Sequence, residues 1–237
     1  MSAVKALVGL VVLAAVLAVG LVAGDHYAEG RAEEYARGEV AQMLQTSTTP
    51  AVDIQGFPFL TQVLRGTLDS VTASASDAKL SGLAVTDVAI DTRGVVVRPP
   101  AGEQARAGQA SVAATIPTSS LEGALKDRTG LTPQIVVDGQ TLRASGTVLG
   151  LTLVLTLVPR VDNGSLVVDV QHLTLGGRDV DPNALPSNLR GRVSSIPVPL
   201  DALPQGLAVT QASVIPAGIR LTASGSNVVV PQAASGG

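Results

Sequence analysis

The sequence predicts an α+β fold in which a long, strongly curved antiparallel sheet wraps around a long amphipathic helix, with a transmembrane helix at the N-terminus. Three observations predict it. Residues 6–24 run for 19 positions without a charge, and residues 25–45 carry apolar side chains at helical spacing. From residue 66 onward strand-like alternation dominates, broken by one further helical pattern at 118–129.

The uncharged run, ALVGLVVLAAVLAVGLVAG, measures about 28 Å at about 1.5 Å per residue, close to the about 30 Å of a hydrocarbon core. Only Lys5 and the amino terminus precede it as positive groups, so the positive-inside tendency leaves the short end in the cytoplasm and the remainder outside. Small residues around Val22-Ala23-Gly24 also suit a signal peptidase, which makes a cleaved signal peptide the competing reading. In both readings 1–24 is an anchor or signal, 25–231 is one extracytoplasmic domain, and 232–237 is a frayed tail with nothing to bury. The chain has no cysteine, so lipid acylation and disulfides are excluded and stability must come from packing. A net charge of -3 and an aromatic content of 2% leave neither a basic footprint nor stacking platforms for nucleic acid.

In the helical segment 25–45, Ala28, Ala32, Tyr35, Ala36, Val40, Met43 and Leu44 recur at spacings of three and four. Glu29, Arg31, Glu33, Glu34 and Arg37 take the other side, and Pro50 prevents continuation. The small inner face suits close packing on a sheet, with a free stalk as the alternative. Next comes VDIQGFPFLTQVLRG, residues 52–66, which holds both phenylalanines of the chain. Pro58 pushes Phe57 toward an extended conformation and suits the first turn of a short helix, which Gly66 can end. On that helix Phe59, Leu60, Val63 and Leu64 share one face, while Thr61, Gln62 and Arg65 face away. Two readings stand for the rings: they plug the end of the core, or they line or gate a ligand groove or dip into a membrane surface.

Strands follow. GLAVTDVAIDTRGVVV (82–97) reads as strand, turn, strand, with the turn at 91–94. Its apolar phase slips between Val85 and Val88, the mark of a β-bulge. Ala110, Val112, Ala114 and Ile116 alternate in the next strand. The helix at 118–129 has Ser119 and Glu122 at capping-box spacing, Leu121, Ala124 and Leu125 on its apolar face, and Gly130 at its end. In the strands beyond it, Asp162-Asn163-Gly164 is a hairpin signal. Leu151, Leu153, Leu155 and Leu157 fill one face of LTLVLTLV, and Thr152, Val154, Thr156 and Val158 the other, half-apolar one. GLAVTQASVIPAGIRL (206–221) shares its GLAVT with 82–97 and its later glycine, Gly218 against Gly94. This reads as two equivalent strand-turn-strand units, with chance similarity in a Val/Ala/Gly-rich chain as the alternative.

Catalytic constellations are missing from the sequence. The two histidines, His26 and His172, lie far apart in sequence, and there is no cysteine to complete a zinc site. No G-x-S-x-G, P-loop, Rossmann or H-E-x-x-H motif occurs. What the chain has instead is apolar strand surface in excess of its helical cover. A sheet curling around one helix leaves an interior of Val, Leu and Ala that either packs on itself or holds an acyl chain. At about 0.8 kcal/mol per buried methylene, a chain of about 15 methylenes contributes roughly 12 kcal/mol gross, so binding needs few distinctive polar residues.

The stretch VDIQGFPFLTQVLRGTLDSV, preceded by a helix containing AEEYA and followed by GLAV…V.I…GV.V, resembles the LmeA-type phospholipid-binding proteins of actinobacterial envelopes. The similarity spans residues 25–231, and Gly56, Phe57, Pro58, Phe59, Leu60, Thr61 and Gln62 match its most specific part. The resemblance implies a fold related to the tubular lipid-binding (TULIP) superfamily, with phospholipid held in a hydrophobic cavity outside the cytoplasmic membrane and without catalysis or a cofactor. Expected at the groove or its mouth are Phe57, Phe59, Leu60, Val63 and Leu64, with Tyr35, Val40, Met43 and Leu44 from the long helix. The expected partners are a phospholipid or other acyl-chain lipid and the cytoplasmic membrane. The rival readings are an envelope interaction protein with a packed interior and an envelope hydrolase built on scattered carboxylates. An outer-membrane barrel is disfavoured by the lack of aromatic girdles.

Overall fold

A computed structural model of the protein describes residues 2–80, 83–97, 104–129, 132–148, 150–181, 195–198 and 203–230. The side chains of residues 2–21, 80, 128–129, 148 and 195–198 fall outside that description. So do the expected helix stop at Gly130 and the tail.

Helix α1, Ser2–Leu44, runs unbroken through the uncharged segment into the amphipathic one. Among the described residues no helix is long and apolar enough to cross a membrane, so the expected transmembrane span gains no support. Most of the uncharged run lies among the undescribed side chains. After α1 come β1 (Ala51–Gln55), α2 (Phe59–Arg65), β2 (Thr67–Leu80), β3 (Leu83–Val96), β4 (Arg106–Pro117) and α3 (Thr118–Thr129). Then follow β5 (Gln134–Asp138), β6 (Thr141–Val148), β7 (Leu151–Asp162), β8 (Ser165–Leu175), β9 (Arg178–Val180), β10 (Ser195–Val198), β11 (Leu207–Ile215) and β12 (Gly218–Val229).

The strands make two antiparallel sheets rather than one, and no closed barrel among the described residues. The first has the order β1-β2-β3-β4-β12-β11, the second β10-β8-β7-β6-β5 with β9 beside β8. Pro117 has no N–H to continue the ladder, and α3 starts at the next residue and carries the chain to the second sheet. The return is long-range, with Ile219 opposite Ile116 and Leu221 opposite Ala114. Edge strand β11 touches the turn of the β7–β8 hairpin, where Val209 N–H donates to the Gly164 carbonyl at 2.9 Å.

The sheet does not wrap around α1. A helix enclosed on several sides must be apolar round its circumference, and the described part of α1 has a one-sided stripe. Ala28 and Ala32 pack at one end of the first sheet, Val40 and Leu44 at the other. Glu33 meanwhile caps the outer edge of β1, its carboxylate accepting from Ile54 N–H at 3.0 Å. That protects an otherwise open strand edge. Packing, not a free stalk, is what α1 does.

Two apolar clusters result. The larger lies between the sheets, around Leu44, Val88, Ile116, Leu142, Leu157, Leu166 and Ile219, with Leu121 and Leu125 of α3 against it. The smaller lies under α2, around Ile54, Phe59, Leu68, Val95 and Val228. Of the local expectations, the bulge is present: register against β4 shifts between Thr86 and Ala89, and Asp87 takes φ 51°. The Asn163-Gly164 turn joins β7 to β8 with φ of 47° and 75°. The turn at 91–94 is absent, and β3 passes straight through it. The two GLAVT segments are therefore not equivalent units. Thr92 keeps its place between Val71 and Ala110, whereas Pro216 at the matching position ends β11 and the chain turns into β12.

Candidate functional site

The corner between α1 and α2 is built from the GFPFLTQ residues and one aspartate far from them in sequence. Pro58 occupies the N-cap of α2, the Phe57–Pro58 peptide is cis, and Pro58 offers no side-chain cap. Asp25 supplies the cap instead. Its two carboxylate oxygens accept from Phe59 N–H and Leu60 N–H, each at 2.7 Å, while the residue itself is 3% exposed. A carboxylate here satisfies two orphan donors and meets the positive end of the helix. At the other end Gly66 closes α2 in the left-handed conformation, φ 76°.

Gln62 is wholly buried, contrary to the expectation that it faces away. Its Nε2 donates to the Gly56 carbonyl at 2.6 Å, and its Oε1 accepts from Asp69 N–H at 2.7 Å, so one side chain joins the end of β1 to the start of β2. Gly56 sits at φ 109°, and a Cβ there would lie 2.8 Å from Gln62 Nε2. The inner arc of α2 is therefore Phe59, Gln62 and Val63. Leu60 and Leu64, expected beside Phe59, point outward, with Leu64 79% exposed.

The phenylalanines divide. Phe59 is 5% exposed in the smaller core, whereas Phe57 is 64% exposed, its ring centroid 6.3 Å from that of His26. The nine residues expected at one groove do not meet at one place. Phe59 and Val63 belong to the smaller cluster, Val40 and Leu44 to the larger, and Phe57, Leu60, Leu64, Tyr35 and Met43 are exposed.

A cavity of about 460 Å³ lies between the α1–β1 loop and strands β2 and β3. Thr48, Thr49, Ser74, Ser76 and Asp87 line it together with Ala51, Ala75 and Val88, and it is shallow and open to solvent. Asp77 holds the same loop, accepting from Ser47 N–H at 2.8 Å and from the hydroxyls of Ser47, Thr48 and Thr46 at 2.9, 2.9 and 3.1 Å. These bonds, the Ser47 N–H first, draw its carboxyl well below the usual carboxylate range.

The oily wall lies on the second sheet. Leu157 stands opposite Val170, Leu155 opposite Leu173, and Leu153 opposite Leu175. The first pair is buried, the next two are half-buried, and Leu151 beyond them is 48% exposed. Leu155 and Leu173 border the larger core, and a bulge between Thr156 and Leu157 lets the apolar phase of β8 switch to keep the row on one face. The leucine run was visible in the sequence. Its partners on β8 were not, because the bulge hides them from alternation.

Four carboxylates serve as caps and clamps: Asp25 on α2, Asp77 on the loop, Glu33 on β1, and Glu122 accepting from Ile135 N–H at 2.6 Å. Among the described residues no three His, Cys, Asp or Glu side chains gather to hold a metal. Comparisons with curated proteins and with solved structures return no match. A family model described as LmeA-like phospholipid-binding matches residues 23–224, from the turn of α1 that carries Asp25 to the middle of β12. With the match covering most of its length, the chain belongs to the LmeA-like phospholipid-binding family.

Proposed function

We propose that the protein is a non-catalytic phospholipid-binding protein of the cell envelope that holds or shuttles lipid, its domain outside the cytoplasmic membrane and its uncharged N-terminal run embedded in it. An acyl chain lies between the sheets along the Leu157, Leu155 and Leu153 row and its partners on β8. The single observation that carries this is the gradient of that row, which passes from buried to open in one direction and leaves an apolar wall half covered. Family membership supplies the ligand class. The structural employment of the carboxylates supports binding over hydrolysis. Val40 and Leu44 border the same core from α1, while Phe59 and Val63 hold the α2 corner.

Native mass spectrometry of the full chain after gentle detergent extraction tests the proposal. A co-purified mass matching a phospholipid is the expected result. A bare chain under every condition, with phospholipid offered in excess, sinks it.

A further inference from the structure

Helix α2 has three faces. Phe59, Gln62 and Val63 go to the core; Leu60 and Leu64, one turn apart, go to the outside; and Thr61 and Arg65 form a polar flank. Its sole charge is Arg65 in the last turn. Phe57, at the helix entrance, is exposed as well, its ring 6.3 Å from that of His26. Scattered exposed leucines mean little, but an apolar face this compact, rimmed by polar residues, marks a contact surface.

Its position says what it contacts. Asp25, which binds the first two N–H groups of the α2 core turn, is the residue directly after the uncharged run 6–24, and the backbone between is one continuous helix. The clamp thus fastens α2 at the level where α1 passes from oily to charged sequence. Val22, one turn before Asp25, is itself exposed. We propose that α2 is a second, interfacial membrane contact, with Leu60, Leu64 and Phe57 set into the surface of an anionic phospholipid bilayer and Arg65 at the phosphates. The amphipathic division and the basic, acid-free polar flank are what an interfacial helix requires. The inference rests on the run 6–24 being embedded. It gives the lipid-binding domain a fixed attitude, with the α2 corner against the membrane.

The chain has no cysteine, so single sites can be labelled. Leu64→Cys and, as a reference, Val136→Cys on β5 (also exposed) carry an environment-sensitive fluorophore in the full chain. The chain is reconstituted into phosphatidylglycerol–phosphatidylcholine vesicles with or without brominated acyl chains. The proposal expects quenching by brominated lipid at position 64 severalfold above that at 136. Equal, weak quenching at both sites in chains that float with the vesicles overturns it and leaves the tether standing. A label at 64 shielded from aqueous iodide yet unquenched by brominated lipid also overturns it, and identifies a protein partner instead. Failure to float overturns the tether and this contact with it. A chain with position 64 quenched but no co-purified phospholipid upholds the contact and removes the lipid-holding reading.

Discussion

Asp25 and Phe59 lie 34 residues apart in sequence, yet Asp25 Oδ2 accepts the Phe59 N–H at 2.7 Å inside the fold. Together with the Leu60 N–H on Oδ1, this fixes α2 to α1 through the α2 backbone, so the joint does not depend on which side chain, proline excepted, stands at position 60. Asp25→Ala strands two N–H groups, at least one of them buried. It should cost about 2–4 kcal/mol, since each unsatisfied buried donor costs about 1–3 kcal/mol. Asp25→Asn keeps one acceptor and turns a donor toward the other N–H, so it should recover only part of the loss. Denaturant unfolding of the three proteins checks the ranking, and an unchanged midpoint for Asp25→Ala refutes the clamp.

Gly56 and Gln62 should behave as one unit. A methyl at position 56 meets Gln62 Nε2 at 2.8 Å and Asp69 Oδ2 at 2.9 Å, and φ of 109° disfavours any side chain there. Gly56→Ala should therefore destabilise by more than about 1 kcal/mol. Gln62→Ala, which leaves the Gly56 carbonyl and the Asp69 N–H without their partner, should cost about 2–4 kcal/mol. Because part of the first loss is the collision with Gln62, the double variant should lose less than the sum by about 0.5 kcal/mol or more. Strict additivity in a double-mutant cycle would show that the two do not interact.

Phe57 and Phe59 separate stability from surface. Phe59→Ala empties a buried ring site and should cost about 3–5 kcal/mol. Phe57→Ala removes an exposed ring and should change stability by no more than about 0.5 kcal/mol. Thermal melting of both variants decides, and equal losses would place Phe57 in the core.

Where the sequence was legible, the signal was local. The slip from Val85 to Val88 marked the bulge at Asp87, Asn163-Gly164 marked its hairpin, and 118–129 marked α3, each through residues adjacent in the chain. Asp25 offered no such mark, because a charge after an apolar run looks like any solvated helix residue until α2 is placed over it. Gln62 misled for the same reason: helical spacing assigns a polar residue to the outside, but a backbone carbonyl and an N–H wait for it within. The division into two sheets was hidden because β12 returns to β4 across the whole second sheet. The nine residues named for the groove or its mouth do not gather at one place. Proximity along α1 and α2 stood in for proximity in space, and the two clusters sit at opposite ends of the first sheet.

Asp77 should make stability depend on acid. Its folded carboxyl lies below the ordinary range because it accepts from Ser47 N–H and three hydroxyls. A depressed folded value means the contribution is fully present above the unfolded value of about 3.9 and is lost as pH falls through the folded one. The stability gap between wild type and Asp77→Asn should accordingly be constant from about pH 5 to 8 and narrow below about pH 4. The group is solvent-accessible, so the gap should shrink with added salt as well. A gap that is flat down to pH 2 would mean that the loop is held without this carboxylate.

The half-open leucine row makes a prediction in which stability depends on ligand. Leu142 is 1% exposed, and Leu142→Ala should cost about 2–5 kcal/mol whether or not lipid is present. Leu153 and Leu175 face each other and are half-buried, so Leu153→Asn with Leu175→Asn should cost the empty protein far less. If an acyl chain covers that pair, phospholipid should raise the melting temperature of wild type, by the equivalent of about 2.7 kcal/mol at a hundredfold excess over its dissociation constant. The double variant should lose most of that gain, because two amides without partners would face the chain. Melting curves with a short-chain phosphatidylglycerol below its micelle concentration measure both quantities. An undiminished shift in the double variant would move the lipid away from this row, and a shift abolished with no change in the empty protein would fix it there.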